Sequence, residues 1–248
     1  MKDNLEPNKM SLRLGLLLTA ASAFALAGLV HAKHPFFRIS REFNLEMGAA
    51  NEKRLEYEEL TRQVNTSNAT VVFAMAGSLL AGCLSWMGNP CCSLTTRVLS
   101  GLVLGALWGA ITGYIATFAQ QFIVPRGSFP SATTTGVSQA VAFGLLGGGV
   151  GLIFALTSKT MNSVVSNVLR GILNVLKGIL GGSLGGFLFP ILAGLVATAQ
   201  NSSNLIPIGF LGLLLWIAIP FATIFYLLTQ FGPGHPSIFQ QDENKGSA

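Results

Sequence analysis

Polar and apolar positions along this chain separate into long blocks. Mostly apolar runs occupy residues 12–32, 69–87, 98–119, 138–156, 179–199 and 205–228, and the last five carry no charge. About 20 apolar residues in a helix span a bilayer core. The pattern therefore predicts an all-α fold: a polytopic helical membrane bundle of six transmembrane helices. Two readings fit the first run. It is a spanning helix, or a signal peptide, since Val30-His31-Ala32 has the small-x-small form of a cleavage site after a basic segment. Its length favours the retained helix.

The polar blocks define the remaining organisation. Residues 1–32 hold a polar N-terminal segment and the first helix. Residues 33–68 are the long hydrophilic segment, in which Phe43, Met47, Ala50, Tyr57, Leu60 and Val64 recur at threes and fours. That spacing predicts an extramembrane amphipathic helix lying over the bundle or on headgroups, or docking a partner. Residues 69–230 form a five-helix membrane domain. Residues 231–248, with Gly232-Pro233-Gly234 and a polar end, are expected to be disordered.

Glycine spacing adds a packing rule. Gly101, Gly105, Gly109 and Gly113 recur every fourth residue, so on a helix they stack into a groove without side chains. In water each would cost roughly 1 kcal/mol relative to alanine, whereas in lipid such a groove admits a second backbone. Gly144 with Gly148, Gly147 with Gly151, and Gly178, Gly182 and Gly186 repeat the spacing, which is that of a glycine zipper. A shift of 70 superposes Phe73, Gly77 and Ala81 on Phe143, Gly147 and Gly151, and a shift of 81 superposes Gly105 and Gly113 on Gly186 and Gly194. The simplest source is a duplicated two-helix unit with an insertion in its second copy. Within that lengthened part, Asn167, Arg170, Asn174 and Lys177 share one narrow face of an otherwise apolar helix. This polar stripe is expected to reach lipid headgroups from a helix in the membrane plane, or to line a water-filled cavity.

Charge fixes orientation and excludes several classes of function. The chain has 248 residues, 10% of them charged, 29 glycines and a net charge of +5; its mean hydropathy is +0.57. Soluble domains carry roughly 25% charged residues. All ten acidic residues lie in positions 1–59 or at Asp242 and Glu243. Arg97, Lys159, Arg170 and Lys177 follow the second and fourth runs, so the positive-inside rule places those loops and both termini in the cytoplasm, across a plasma (inner) membrane. Asn65, Asn68 and Asn201, each in an Asn-x-Ser/Thr sequence, then lie outside. Nucleic acid is not an expected partner, because the bases are scattered and not interleaved with aromatics. The expected partners are the bilayer, further copies of the chain or another membrane protein.

Candidate chemistry is sparse. No predicted span holds Asp or Glu, and after the first none holds His, which removes aspartyl and most serine hydrolysis and carboxylate proton relays. His31 and His34 are too few for a metal site, Cys91-Cys92 suits free thiols or acylation at a membrane edge, and Cys83 reads as a packing residue. No catalytic residue, metal or cofactor is expected. Pro190 and Pro220 inside the last two runs read as kinks, and Pro207 as a helix start. The sequence thus points to a non-enzymatic, multi-pass membrane protein with a structural or assembly role. A channel or permease for a small neutral or anionic solute, entered past Arg170 and Lys177, is the alternative.

Overall fold

The structure, a computed structural model, describes residues 6–38, 51–87, 93–123, 132–158, 164–196, 205–207 and 209–230. Among them every regular element is a helix: α1 (Glu6–Lys33), α2 (Asn51–Met87), α3 (Leu94–Ile123), α4 (Ala132–Thr157), α5 (Val164–Val196) and α6 (Phe210–Gln230). All six contain a segment long and apolar enough to cross a membrane.

The even-numbered helices meet at the centre of the bundle. Outside them, α3 lies between α2 and α4, α5 between α4 and α6, and α1 between α6 and α2. Burial follows this order: 50, 61 and 50% of the span is buried in α2, α4 and α6, against 33, 28 and 44% in α1, α3 and α5. Large side chains such as Leu107, Tyr114, Phe122, Leu180 and Leu195 project outward. That distribution suits a lipid solvent, where an exposed leucine costs nothing.

Three rings lock the centre. Phe73 on α2, Phe143 on α4 and Trp216 on α6 are fully buried, with centroids 5.1 to 5.5 Å apart. The two pairs made by Trp216 are edge-to-face, and each such pair adds about 0.5–1.5 kcal/mol beyond burial. The indole N–H cannot be left bare there, and it donates to Gln139 Oε1 at 2.8 Å. Gln139 Nε2 in turn donates to the carbonyl of Leu205 at 2.9 Å. One buried amide thus joins α4, α6 and the irregular segment ahead of α6.

That segment departs from the predicted span. Leu205, Ile206 and Pro207 are buried but not helical, and α6 begins at Phe210. Proline disfavours helical geometry in the residue before it, so the start is deferred to Gly209, whose carbonyl accepts the Leu213 N–H at 2.9 Å. Pro190 and Pro220 lie within α5 and α6, which continue through them.

The boundary expected at residue 68 falls inside α2. This helix runs 37 residues, about 55 Å at 1.5 Å per residue, so the charged stretch from Asn51 and the second span form one rod. Phe43, Met47 and Ala50 lie outside the described residues, as do Asn201 and the tail 231–248. Asn68 is buried, and its amide both donates to the Phe37 carbonyl at 3.1 Å and accepts the Phe37 N–H at 2.9 Å. The fold therefore occupies the side chain a glycan would need, while Asn65 is exposed.

At the other end of the bundle, Ser93 Oγ accepts the Thr96 N–H at 3.2 Å. A hydroxyl in that position caps α3. Arg97 Nη2 donates to Trp86 O at 3.2 Å. This satisfies a carbonyl at the end of α2 that has no partner within the helix.

Replacing Gln139 with leucine strips both partners from buried groups, each of which costs about 1–3 kcal/mol when left unpaired. The thermal midpoint in detergent is expected to fall by about 5 °C. An unchanged midpoint would show that Gln139 does not join α4 to α6.

Candidate functional site: the interhelical seams and the polar end of α5

The four glycines of α3 all turn toward α2. A Cβ built on Gly105 would overlap the carbonyl oxygen of Gly77, on Gly109 that of Phe73, and on Gly113 that of Ala69. At Gly101 it would overlap Ser85 Oγ, with the Ala81 carbonyl 2.9 Å away. Backbone therefore meets backbone along this seam, an approach only hydrogen at Cα permits.

A second seam joins α4 and α5. Gly178 lies against the Gly147 carbonyl, Gly182 against that of Phe143 and Gly186 against that of Gln139, while Gly151 meets the Asn174 carbonyl. On Gly144 and Gly148, the expected stripe of α4, a Cβ would meet side chains instead: Ser183 Oγ, and Ile179 Cγ1 at 2.9 Å. The backbone approach uses the neighbouring stripe, Gly147 and Gly151. α5 also presents a second edge to α6, where a Cβ on Gly181 would stand 2.8 Å from Ile224 Cα and one on Gly185 2.5 Å from Pro220 Cα. Thr223 Oγ1 donates to Gly181 O at 2.7 Å and Ser183 Oγ to Ala140 O at 3.1 Å, so hydroxyls bridge both edges. Gly28, Gly171 and Gly194 have open space where a side chain would stand.

The contacts pair the glycines differently from the shift of 81. Gly109 faces Phe73 and Gly182 faces Phe143, so when Phe73 is matched with Phe143 the counterpart of Gly109 is Gly182. In the same register Gly77 matches Gly147, and Gly105 matches Gly178. The shift of 81 would instead match Gly105, which lies against Gly77, with Gly186, which lies against Gln139. Repeated glycines at fours let a register slip by two turns without losing sequence matches.

The polar stripe belongs to α5 itself, which is continuous from Val164 to Val196, not to a separate helix in the membrane plane. Asn167, Arg170 and Lys177 are half-buried, and Asn174 is 2% exposed. The stripe leads directly into Gly178, Gly181 and Gly182, so it lies on the side of α5 that packs against α4 and α6.

The histidines do not converge. His31, in the last turn of α1, sets its ring edge against Phe210 at 5.9 Å, and His34 beyond the helix meets Phe36 at 6.3 Å. Burial lowers the pKa of His34 from its ordinary value. Cys83 Sγ lies 3.3 Å from Ser22 Oγ, and Cys91 and Cys92 fall outside the described residues. Among the described residues no three His, Cys, Asp or Glu side chains gather as a metal site. The Gln139 bridge was missed in the sequence, where its only signal is a lone amide inside an apolar run.

No protein-family model, curated protein or solved structure matches the chain.

Two outcomes follow from this geometry. Gly182→Leu drives a side chain into the Phe143 backbone, and overpacking of this kind costs about 1–3 kcal/mol or more; Gly194→Leu meets nothing. The first variant is expected to lose several degrees of thermal midpoint in detergent and the second to stay within about 1 °C. Equal effects would show that the seam does not set stability. For His34, protonation is disfavoured in the fold, so its contribution is present above the unfolded pKa, about 6.5, and is lost as pH falls through the lower folded value. His34→Phe should therefore flatten part of the decline in midpoint between pH 7.5 and 5; an unaltered pH profile would contradict this.

Proposed function

We propose that this chain is a non-enzymatic, multi-pass integral membrane protein with a structural or assembly role, a close-packed scaffold held by glycine-zipper contacts. The observation that carries the reading is the filled centre: Phe73, Phe143 and Trp216 touch one another where the three inner helices meet. A conducting path along that axis would need the space those rings fill.

The seams support the same reading. Backbone approach at Gly105, Gly109, Gly178 and Gly182 holds the outer helices α3 and α5 against α2 and α4. We read the pairs α2–α3 and α4–α5 as copies of one unit, Phe73 matching Phe143 and Gly109 matching Gly182, with α6 and α1 closing the ring. Arg97 and Arg170 lie at the end where α1 begins and α6 finishes; with Lys159 and Lys177 they favour, under the positive-inside rule, cytoplasmic termini and a plasma (inner) membrane. The outward faces of α3 and α5 are the surfaces left for further copies or another membrane protein.

The competing reading, a channel or permease for a small neutral or anionic solute, requires the stripe at Asn167, Arg170, Asn174 and Lys177 to line water. The burial of Asn174 against the Gly151 turn speaks for the packed scaffold.

The test is Asn174→Cys in a background with Cys83, Cys91 and Cys92 replaced by serine, exposed in intact membranes to an impermeant thiol reagent. The scaffold predicts no labelling from the outer face and full labelling after denaturation in dodecyl sulfate. Labelling from both faces would overturn it in favour of the permease.

A further inference from the structure

The cationic end of α5 is turned inward, which a helix reaching only for lipid headgroups would not do. Val168, Leu169, Ile172, Leu173 and Leu176 make up the exposed side. Arg170 and Lys177 are half-buried on either side of Asn174, four residues before it and three after. Asn174 is 2% exposed, and its buried Nδ2 has no hydrogen-bond acceptor among the described residues. A buried amide donor in that condition costs about as much as a lost hydrogen bond.

Depth identifies the missing group. Gly182 is level with Phe143, near the middle of α4. The stretch of α5 from Arg170 to Gly182 covers about 18 Å along the axis, and half of a bilayer's hydrocarbon core is about 15 Å. The guanidinium therefore starts at the level of phosphate groups, while Lys177 starts deeper and reaches toward that level along its stem. A guanidinium matches two phosphate oxygens at once, an ammonium supplies a point charge, and an amide N–H donates to a third oxygen.

We infer that Arg170, Asn174 and Lys177 form a binding site for an anionic phosphate group, set between α5 and the adjoining ends of α4 and α6. Arg170 takes two oxygens at the mouth, Asn174 Nδ2 donates from the floor, and Lys177 neutralises the remaining charge. The phosphate belongs either to an anionic phospholipid entering from the bilayer or to a soluble phosphate from the aqueous side. The site does not depend on the scaffold role, since a filled centre and a peripheral anion site are separate features.

The test uses the full chain in an uncharged maltoside detergent, with thermal midpoint and native mass spectrometry as readouts. It is titrated with phosphatidylglycerol, with net-neutral phosphatidylcholine and with inorganic phosphate. A saturating anion should raise the midpoint by about 5 °C: a rise with phosphatidylglycerol alone assigns a lipid, and one with inorganic phosphate assigns a soluble ligand. Arg170→Gln with Lys177→Gln should abolish the rise. Asn174→Leu, which removes the orphan donor, should keep the unliganded midpoint and weaken binding about tenfold. No rise with either anion, an equal rise with phosphatidylcholine, or a rise that survives the double substitution would overturn the proposal.

Discussion

Apolar side chains gain nothing by leaving lipid for protein, so the cohesion of helices in a bilayer depends on how closely their backbones approach. In water this chain would bury its leucines; here Leu107, Leu180 and Leu195 face out, and Gly77, Gly105, Gly147 and Gly178 face in. Dispersion contacts between main chains then replace the hydrophobic effect as the attractive term. Each glycine carries a helix-propensity cost in water, but the bilayer forces every backbone group into a helical hydrogen bond, and the penalty fades.

From that constraint the arrangement of inner and outer helices follows. The outer helices α3 and α5 need one small-residue face for the neighbour they grip and tolerate bulk elsewhere. α5 carries two such edges, about sixty degrees apart by helix geometry, because it grips both α4 and α6. The inner helices must fill the space where three of them converge, which calls for aromatic volume: Phe73, Phe143 and Trp216 supply it. Trp216 brings a polar N–H into that dry centre, so Gln139 is required beside it, and Gln139 in turn anchors the Leu205 carbonyl.

Much of this was legible in the sequence because hydrocarbon imposes a simple grammar. Six long apolar runs read directly as six helices, and glycines at fours marked close faces. Register was not legible: that Gly105 meets the carbonyl of Gly77 and Gly178 that of Gly147 is set by the packing, and glycines repeated at fours do not announce it. The polar stripe at Asn167, Arg170, Asn174 and Lys177 was visible as a face, but its direction depends on which neighbours α5 meets. Pro207 suggested a helix start, yet the helix begins at Phe210, beyond a buried non-helical segment whose Leu205 carbonyl is held by Gln139. Long-range side-chain bonds of that kind leave no periodic trace in a single chain.

Carbene labelling of the protein in native membranes, read out by peptide mass spectrometry, tests the lipid-immersed bundle most directly. A lipid-phase probe should label the outward residues Leu107, Tyr114, Leu180 and Leu195 while sparing Phe73, Phe143 and Trp216. Labelling of those leucines by a water-phase probe, or of the three central rings by the lipid-phase one, would contradict a bundle immersed in lipid and closed by its small-residue faces.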